Sequence, residues 1–224
     1  MLKAAELLDL KQCEHAALFD KTEFCWDALK KISDYLKSLK SVNHAKLVGA
    51  PYIEPNVRIG RGTVIEHGAV VLGPSIIGEN CQIRAGAYIR GNVIVGNDCV
   101  LGNSCEFKHC ILFNSATVPH FNYVGDSILG YKAHLGAGVI LSNVKLTKET
   151  IKVTHHGKTY DTDLRKLGAV IGDHVEIGCN AVLNPGSVVG RNSVIYAGTN
   201  WRGVCPNNTV VKLRQEHQLM QRKF

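Results

Sequence analysis

The chain has 224 residues, 45% of them apolar, and a formal charge of +7. That composition can bury a core and excludes wholesale disorder. No apolar run approaches the roughly 18 residues of a membrane-spanning helix, and the N-terminus lacks the basic-then-apolar layout of a signal peptide. The excess charge is local: segment 143–166 carries six Lys/Arg against three Asp/Glu, and the tail from Arg202 carries five against one. Basic clusters on a balanced body predict an anionic ligand at particular places; with no nucleic-acid-binding motif, nucleic acid is not the expected partner.

In chain order, residues 1–46 predict a helical cap. Trp26, Leu29, Ile32, Leu36 and Leu39 recur at helical spacing, and Thr22 is placed as an N-cap with Glu23 in the first turn. A ruler of six follows. Ile53, Ile59, Ile65, Val71, Ile77, Ile83, Ile89, Val95 and Leu101 head successive hexads, continued by Phe107, Phe113 and Pro119. The residue four after a head is usually small, as in Thr63, Ala69, Cys81, Ala87, Cys99 and Cys105. A period of six is neither helix nor lone strand and is a recorded β-helix signature. After Pro119 the count restarts four residues late, at Leu129, Leu135 and Leu141, and resumes at Ile171 through Trp201. Roughly twenty-one hexads at three per turn give about seven coils.

These patterns organise the chain as a cap (1–46), a parallel β-helix (47–206) with an external loop (142–168), and a basic extension (207–224) expected to turn helical from Lys212. Within the loop, two β-prone runs flank His155-His156-Gly157 and predict a hairpin. The eight cysteines include three in the small inward slot and form no CxxC, so we expect reduced thiols, a cytoplasmic protein and no thiolate zinc site. His109, His120 and His134 do not keep one solenoid edge, so no metal site is expected there either.

Two features point to chemistry without further context. Arg90 and Lys108 fall one 18-residue coil apart on one corner, and adjacent strands lie about 4.8 Å apart. Two cations held so close favour an anion between them, and a phosphate suits both a guanidinium fork and an ammonium. His120 lies on a different corner, beside the break in the ruler; an imidazole with a pKa near 6.5 is the commonest general base at neutral pH.

The stretches Tyr88-Ile89-Arg90-Gly91, Gly102 through Lys108, Pro119-His120 through Asp126, Leu135 through Gly138 and Arg165 through Ala169 resemble the hexapeptide-repeat acyltransferases. The likeness is greatest to the acetyltransferase domain of bifunctional glucosamine-1-phosphate acetyltransferase/N-acetylglucosamine-1-phosphate uridylyltransferase and its archaeal sugar-1-phosphate nucleotidylyltransferase counterpart. It implies a left-handed β-helix, a homotrimer with sites between subunits, acetyl-CoA as cosubstrate, and an amino-sugar phosphate as acceptor on the route to UDP-N-acetylglucosamine. His120 then matches the general base, Glu106 its associated carboxylate, and Ala137 the backbone donor to the acetyl carbonyl, beside the coenzyme. Arg90 and Lys108 match phosphate ligands, Tyr123 a sugar contact, and Asn143 a further polar residue of the substrate site. Ala197 and Arg214 match coenzyme A positions.

Three residues depart from the pattern: His134 stands for a sugar-binding asparagine, Val144 for a tyrosine, and Cys179 for a serine of the coenzyme region. Lys152 and Lys166, in the basic loop, are candidates to compensate. The first 46 residues contain no glycine, so no nucleotide-binding loop, and hence no nucleotidyltransferase half, is expected in them. The alternative is a non-catalytic trimeric scaffold or sugar-nucleotide-binding regulatory protein, for which His134 and Val144 would mark lost catalysis.

Overall fold

The computed structural model describes residues 1–224 except 39, 217 and 224. Leu39, placed above on a helix face, therefore lies outside the described residues, as do two positions of the C-terminal extension. The rest of the chain from Val42 to Val211 is a mainly β parallel solenoid with three faces. Face A runs from strand Val42–Asn43 to Val204–Cys205, face B from Lys46–Leu47 to Val210–Val211, and face C from Tyr52–Ile53 to Asn200–Trp201. They contain nine, nine and eight strands, so the solenoid makes about nine turns rather than seven. The difference arises mainly at the ends, where the flanking strands depart from the ruler, and once inside, at the strand Tyr123–Gly125 that the count passed over: Asn43 pairs with Ile59, and Val189 with Cys205, only sixteen residues apart.

The heads and the small slots face inward as expected. Ile59, Ile65, Val71, Ile77, Ile83, Ile89, Val95, Leu101 and Phe107 form one buried core with Ala69, Cys81, Ala87, Cys99 and Cys105. A bulky side chain and a small one fit together inside a narrow coil, which is why the pattern repeats. All eight cysteines are free thiols.

The register changes earlier than counting in sixes places it. Val95 pairs with Leu112, Leu101 with Val118 and Phe107 with Val124, each seventeen residues on. Leu112 then pairs with Leu129, and Val118 and Leu135 both belong to the inner core. Thus the heads are Leu112 and Val118, not Phe113 and Pro119. The single late restart is two five-residue steps, Phe107 to Leu112 and Val124 to Leu129. Both steps turn the same corner, from face C to face A. Their tight turns place His109 and Asp126 in the left-handed region, at φ +48° and +47°.

The N-terminal segment is helical, in short pieces: Ala4–Leu7, Leu10–Gln12, Ala16–Phe19, Cys25–Lys31 and Ile32–Lys37. Thr22 does not cap; its hydroxyl donates to the Phe19 carbonyl, and the turn at Cys25 is instead opened by Asp27 accepting the Phe24 N–H. The segment also covers a flank rather than an end. Outward residues of face A, from Ile76 through Ile94, Ile111, Ile128 and Val170 to Val188, are buried together with Leu7, Leu8, Leu18, Phe19 and Trp26. Phe113 packs here, edge-on to Phe19 with ring centroids 5.6 Å apart.

The loop carries the expected hairpin, Lys152–His155 against Lys158–Asp161, turning at His156-Gly157. Its Ile151 and Val153 join the same flank, and Tyr160 meets Phe24 edge-on. Beyond Val211 the described residues have no regular secondary structure, so the helix expected from Lys212 is absent there. No helix is long and apolar enough to cross a membrane among the described residues.

Candidate active site

Face C carries four of the expected site residues, Arg90, Glu106, Lys108 and Tyr123, on its outer surface. Tyr88, Glu106 and Tyr123 stack in one column, with Arg90 and Lys108 two residues further along their strands. The two cations are not left facing each other. Arg90 Nη1 donates to Glu106 Oε1 at 2.7 Å, and Lys108 Nζ lies 3.7 Å from Asp126 Oδ2. Glu106 thus serves Arg90 and does not touch His120 within the chain. Its hydrogen bond holds the guanidinium pKa above its ordinary value.

Asp126 is the hub, and the sequence patterns did not single it out. Only 4% exposed, it accepts from His109 Nδ1 at 3.0 Å and from Asn143 Nδ2 at 2.6 Å, besides facing Lys108. Burial pushes its pKa up, but the His109 and Asn143 hydrogen bonds and the Lys108 charge outweigh that and hold it below the usual carboxylate value. Asn143 also donates to the Tyr123 hydroxyl at 3.1 Å; burial, then the Asp126 charge, raises the phenol pKa. The two five-residue steps build this cluster, because Lys108-His109 and Gly125-Asp126 occupy successive turns of one shortened corner. A signal was available: a charged residue in each tight turn, where the count loses a residue.

His120 ends its face-B strand, Thr117–His120, at the edge leading to face C. Its backbone is held at both ends: the N–H donates to Asn122 Oδ1 at 3.1 Å and the carbonyl accepts from Gly138 N at 3.0 Å. The buried Asn122 fixes the edge further by donating to the Gly136 carbonyl at 2.6 Å. The imidazole itself is exposed, beside Phe121, with no hydrogen-bond partner among the described residues. Ala137 occupies the next turn of the same edge, and its N–H also meets no acceptor among the described residues. An unpaired imidazole and an unpaired amide one coil apart can take a proton and donate to a nascent oxyanion.

His134, Cys179 and Ala197 lie apart from the Arg90–Lys108 cluster. They line a groove of about 270 Å³ on face B, with Glu176, Val194 and Tyr196. His134 Nδ1 is 2.7 Å from Thr117 Oγ1, which occupies the ring on that side. Lys212 Nζ stands 5.4 Å from the Tyr196 ring centroid, bringing the basic tail to this groove; Arg214, two residues on, is exposed. Of the loop lysines, Lys152 pairs across the hairpin with Asp161, away from the cluster. Lys166 is exposed, next to Leu167, whose N–H donates to the Asn143 carbonyl.

Residues 168–200 match the bacterial transferase hexapeptide family (six repeats), and residues 71–158 match the GMPPB C-terminal domain. By these matches the chain resembles the hexapeptide-repeat acyltransferases. Among particular relatives, it is 34% identical over 156 residues to the bifunctional sugar-1-phosphate nucleotidylyltransferase/acetyltransferase of Sulfurisphaera tokodaii, covering 70% of this chain and 37% of that protein. It is 37% identical over 178 residues to the bifunctional protein GlmU of Methanococcus maripaludis strain C5, covering 77% and 42%. The chain therefore spans about two-fifths of the length of these relatives. The solved structure of an Arabidopsis UDP-N-acetylglucosamine acyltransferase aligns over 77% of this chain and 65% of its own at 14% identity and a TM-score of 0.39, too distant to bear on activity.

Proposed function

We propose that the protein is an acetyl-CoA-dependent N-acetyltransferase acting on an amino-sugar phosphate, working as a cytoplasmic homotrimer of left-handed solenoids. The observation that carries this reading is the pairing, on one edge, of the free His120 imidazole with the free Ala137 N–H. The two are tied by the Gly138-to-His120 hydrogen bond of 3.0 Å. The face-C cluster lies on one side of that edge and the face-B groove on the other.

In this mechanism Arg90 and Lys108 bind the phosphate. The two cations keep 43% and 26% side-chain exposure, and Lys108 stands 3.7 Å from Asp126, beyond hydrogen-bond reach, so a doubly charged anion with a forked contact competes for both. Tyr123 and Asn143 contact the sugar, with Lys166 near the same corner. His120 takes a proton as the sugar nitrogen attacks the thioester carbonyl. The Ala137 N–H stabilises the oxyanion; the C–S bond then breaks and the departing thiolate recovers a proton from the imidazolium. The coenzyme lies along the groove by Cys179 and Ala197, with its phosphates toward Arg214. No metal enters this chemistry.

The deciding assay is thiol release from acetyl-CoA with glucosamine-1-phosphate or galactosamine-1-phosphate as acceptor. Lys108→Ala should raise KM for the phosphorylated sugar by about tenfold or more, the worth of one charged hydrogen bond, and leave kcat nearly unchanged. Equal effects on phosphorylated and free amino sugars would remove Lys108 from phosphate binding. The ion pairing of both cations favours one rival, a non-catalytic sugar-nucleotide-binding protein; saturable ligand binding without thiol release would establish it.

A further inference from the structure

The outward column of face A can be followed residue by residue through the ladder. It reads Val42, Arg58, Ile76, Ile94, Ile111, Ile128, Val170, Val188 and Val204. Every position is aliphatic except Arg58. Where the column is covered, the N-terminal segment and the hairpin loop seal it; at Arg58 the cover stands off, leaving two adjoining spaces of about 370 and 330 Å³. Each falls in the roughly 300–1,000 Å³ range of ligand pockets.

Both spaces are lined by His15, Tyr35, Arg58 and Ile76. His15 Nδ1 lies 2.9 Å from the Tyr35 hydroxyl, and the rings meet edge-on, so these side chains form a fixed wall opposite the guanidinium. Burial lowers the His15 pKa, so the constant positive charges lining these spaces are Arg58, in both, and Lys40, in the smaller one. Arg58 has no carboxylate partner among the described residues. Glu14 and Glu79 also line the larger space; Glu14 Oε1 already accepts from Asn97 and Asn114, which leaves its other oxygen and the Glu79 carboxylate to accept from hydroxyls.

We propose that this groove is a second binding site, for a phosphate monoester carried on a hydroxylated ring. The phosphate meets Arg58, the ring lies on Ile76 against Tyr35, and its hydroxyls face Glu14 and Glu79. A single cation in an aliphatic column, beside open space, otherwise costs packing and gains no partner. This site lies on face A, away from face C, and does not depend on the acetyl-transfer reading.

The test is calorimetric titration of the full chain, in the Lys108→Ala background to weaken phosphate binding on face C, with glucose 1-phosphate, uridine 5′-monophosphate and inorganic phosphate. Saturable binding of an organic monoester, stronger than that of inorganic phosphate and weakened about tenfold or more by adding Arg58→Ala, supports the site. Arg58→Lys, which keeps the charge but loses the fork, should fall between. Arg58 is exposed, so both variants should melt as the parent does. No saturable binding in the Lys108→Ala background, or binding indifferent to Arg58→Ala, overturns the proposal. Binding of all three probes with equal strength overturns its ring-and-hydroxyl part and leaves only an anion contact.

Discussion

His120→Ala should lower kcat for acetyl transfer by roughly 10²–10⁴-fold, the usual worth of a positioned general base. The loss should fall on kcat and kcat/KM alike, because the imidazole is used while the new bond forms rather than in holding the substrate. Collapse of the fold is not a competing explanation. The edge is held by the His120 backbone and by Asn122, and the ring has no hydrogen-bond partner among the described residues. Steady-state kinetics beside unchanged acetyl-CoA binding would establish the assignment, whereas a loss below about threefold would exclude the imidazole as the base.

Asp126→Ala should cost about 3 kcal/mol of stability, near the low end of the range for breaking a buried pair. Lys108 and His109 keep some contact with water, at 26% and 24% side-chain exposure, which moderates the cost. Asn143 would lose an acceptor at 2.6 Å and release the loop that begins there. The pH dependence has a fixed sign. The folded-state pKa of Asp126 lies below its unfolded value, so its contribution is fully present above about pH 4 and is lost as pH falls through the folded value. Denaturant midpoints of wild type and variant should therefore differ at neutral pH and converge in acid; a constant gap would place the effect in packing. Asp173 behaves oppositely: burial raises its pKa, and its protonated form favours the folded state at low pH.

The solenoid was legible because a coil interior admits one bulky and one small residue per side, and that demand is written every six positions. The two short steps were not, because Phe113 and Pro119 fall on the count and look acceptable. Phe113 is a large apolar residue, but it serves the outer flank; Val118, hidden beside Pro119, is the inward one. The covered flank had left a trace: on face A the residue before a head is aliphatic without a break at Ile76, Ile94, Ile111, Ile128, Val170 and Val188, whereas on the other faces aliphatic residues there alternate with Gln82, Tyr88, Glu106, His134 and Glu176. That recurrence is invisible to a period of six and plain at a period of one coil. At the site, Arg90, Lys108, Tyr123 and Asn143 were legible and converge on one face. Asp126 was not, because its role follows from burial beside Lys108 and His109, which spacing does not reveal. Nor does spacing show that Glu106 turns to Arg90.

A stack of coils in which each touches only its neighbours would fray from its ends, one rung at a time. The N-terminal segment changes that. Within a few residues of one another, the Leu7 carbonyl accepts from Asp173, the Asp9 N–H meets the Asp173 carboxylate, and the Gln12 carbonyl accepts from Asn114. One strap thus bolts together rungs that share no edge. The molecule should behave as a splinted rod, with the rungs from Ile76 to Val188 exchanging their amide hydrogens as a single block and the terminal rungs at Val42 and Val210 exchanging ahead of it. Hydrogen exchange resolved by peptide would read that block directly. Graded protection falling smoothly along the axis would mean that the strap bears no load.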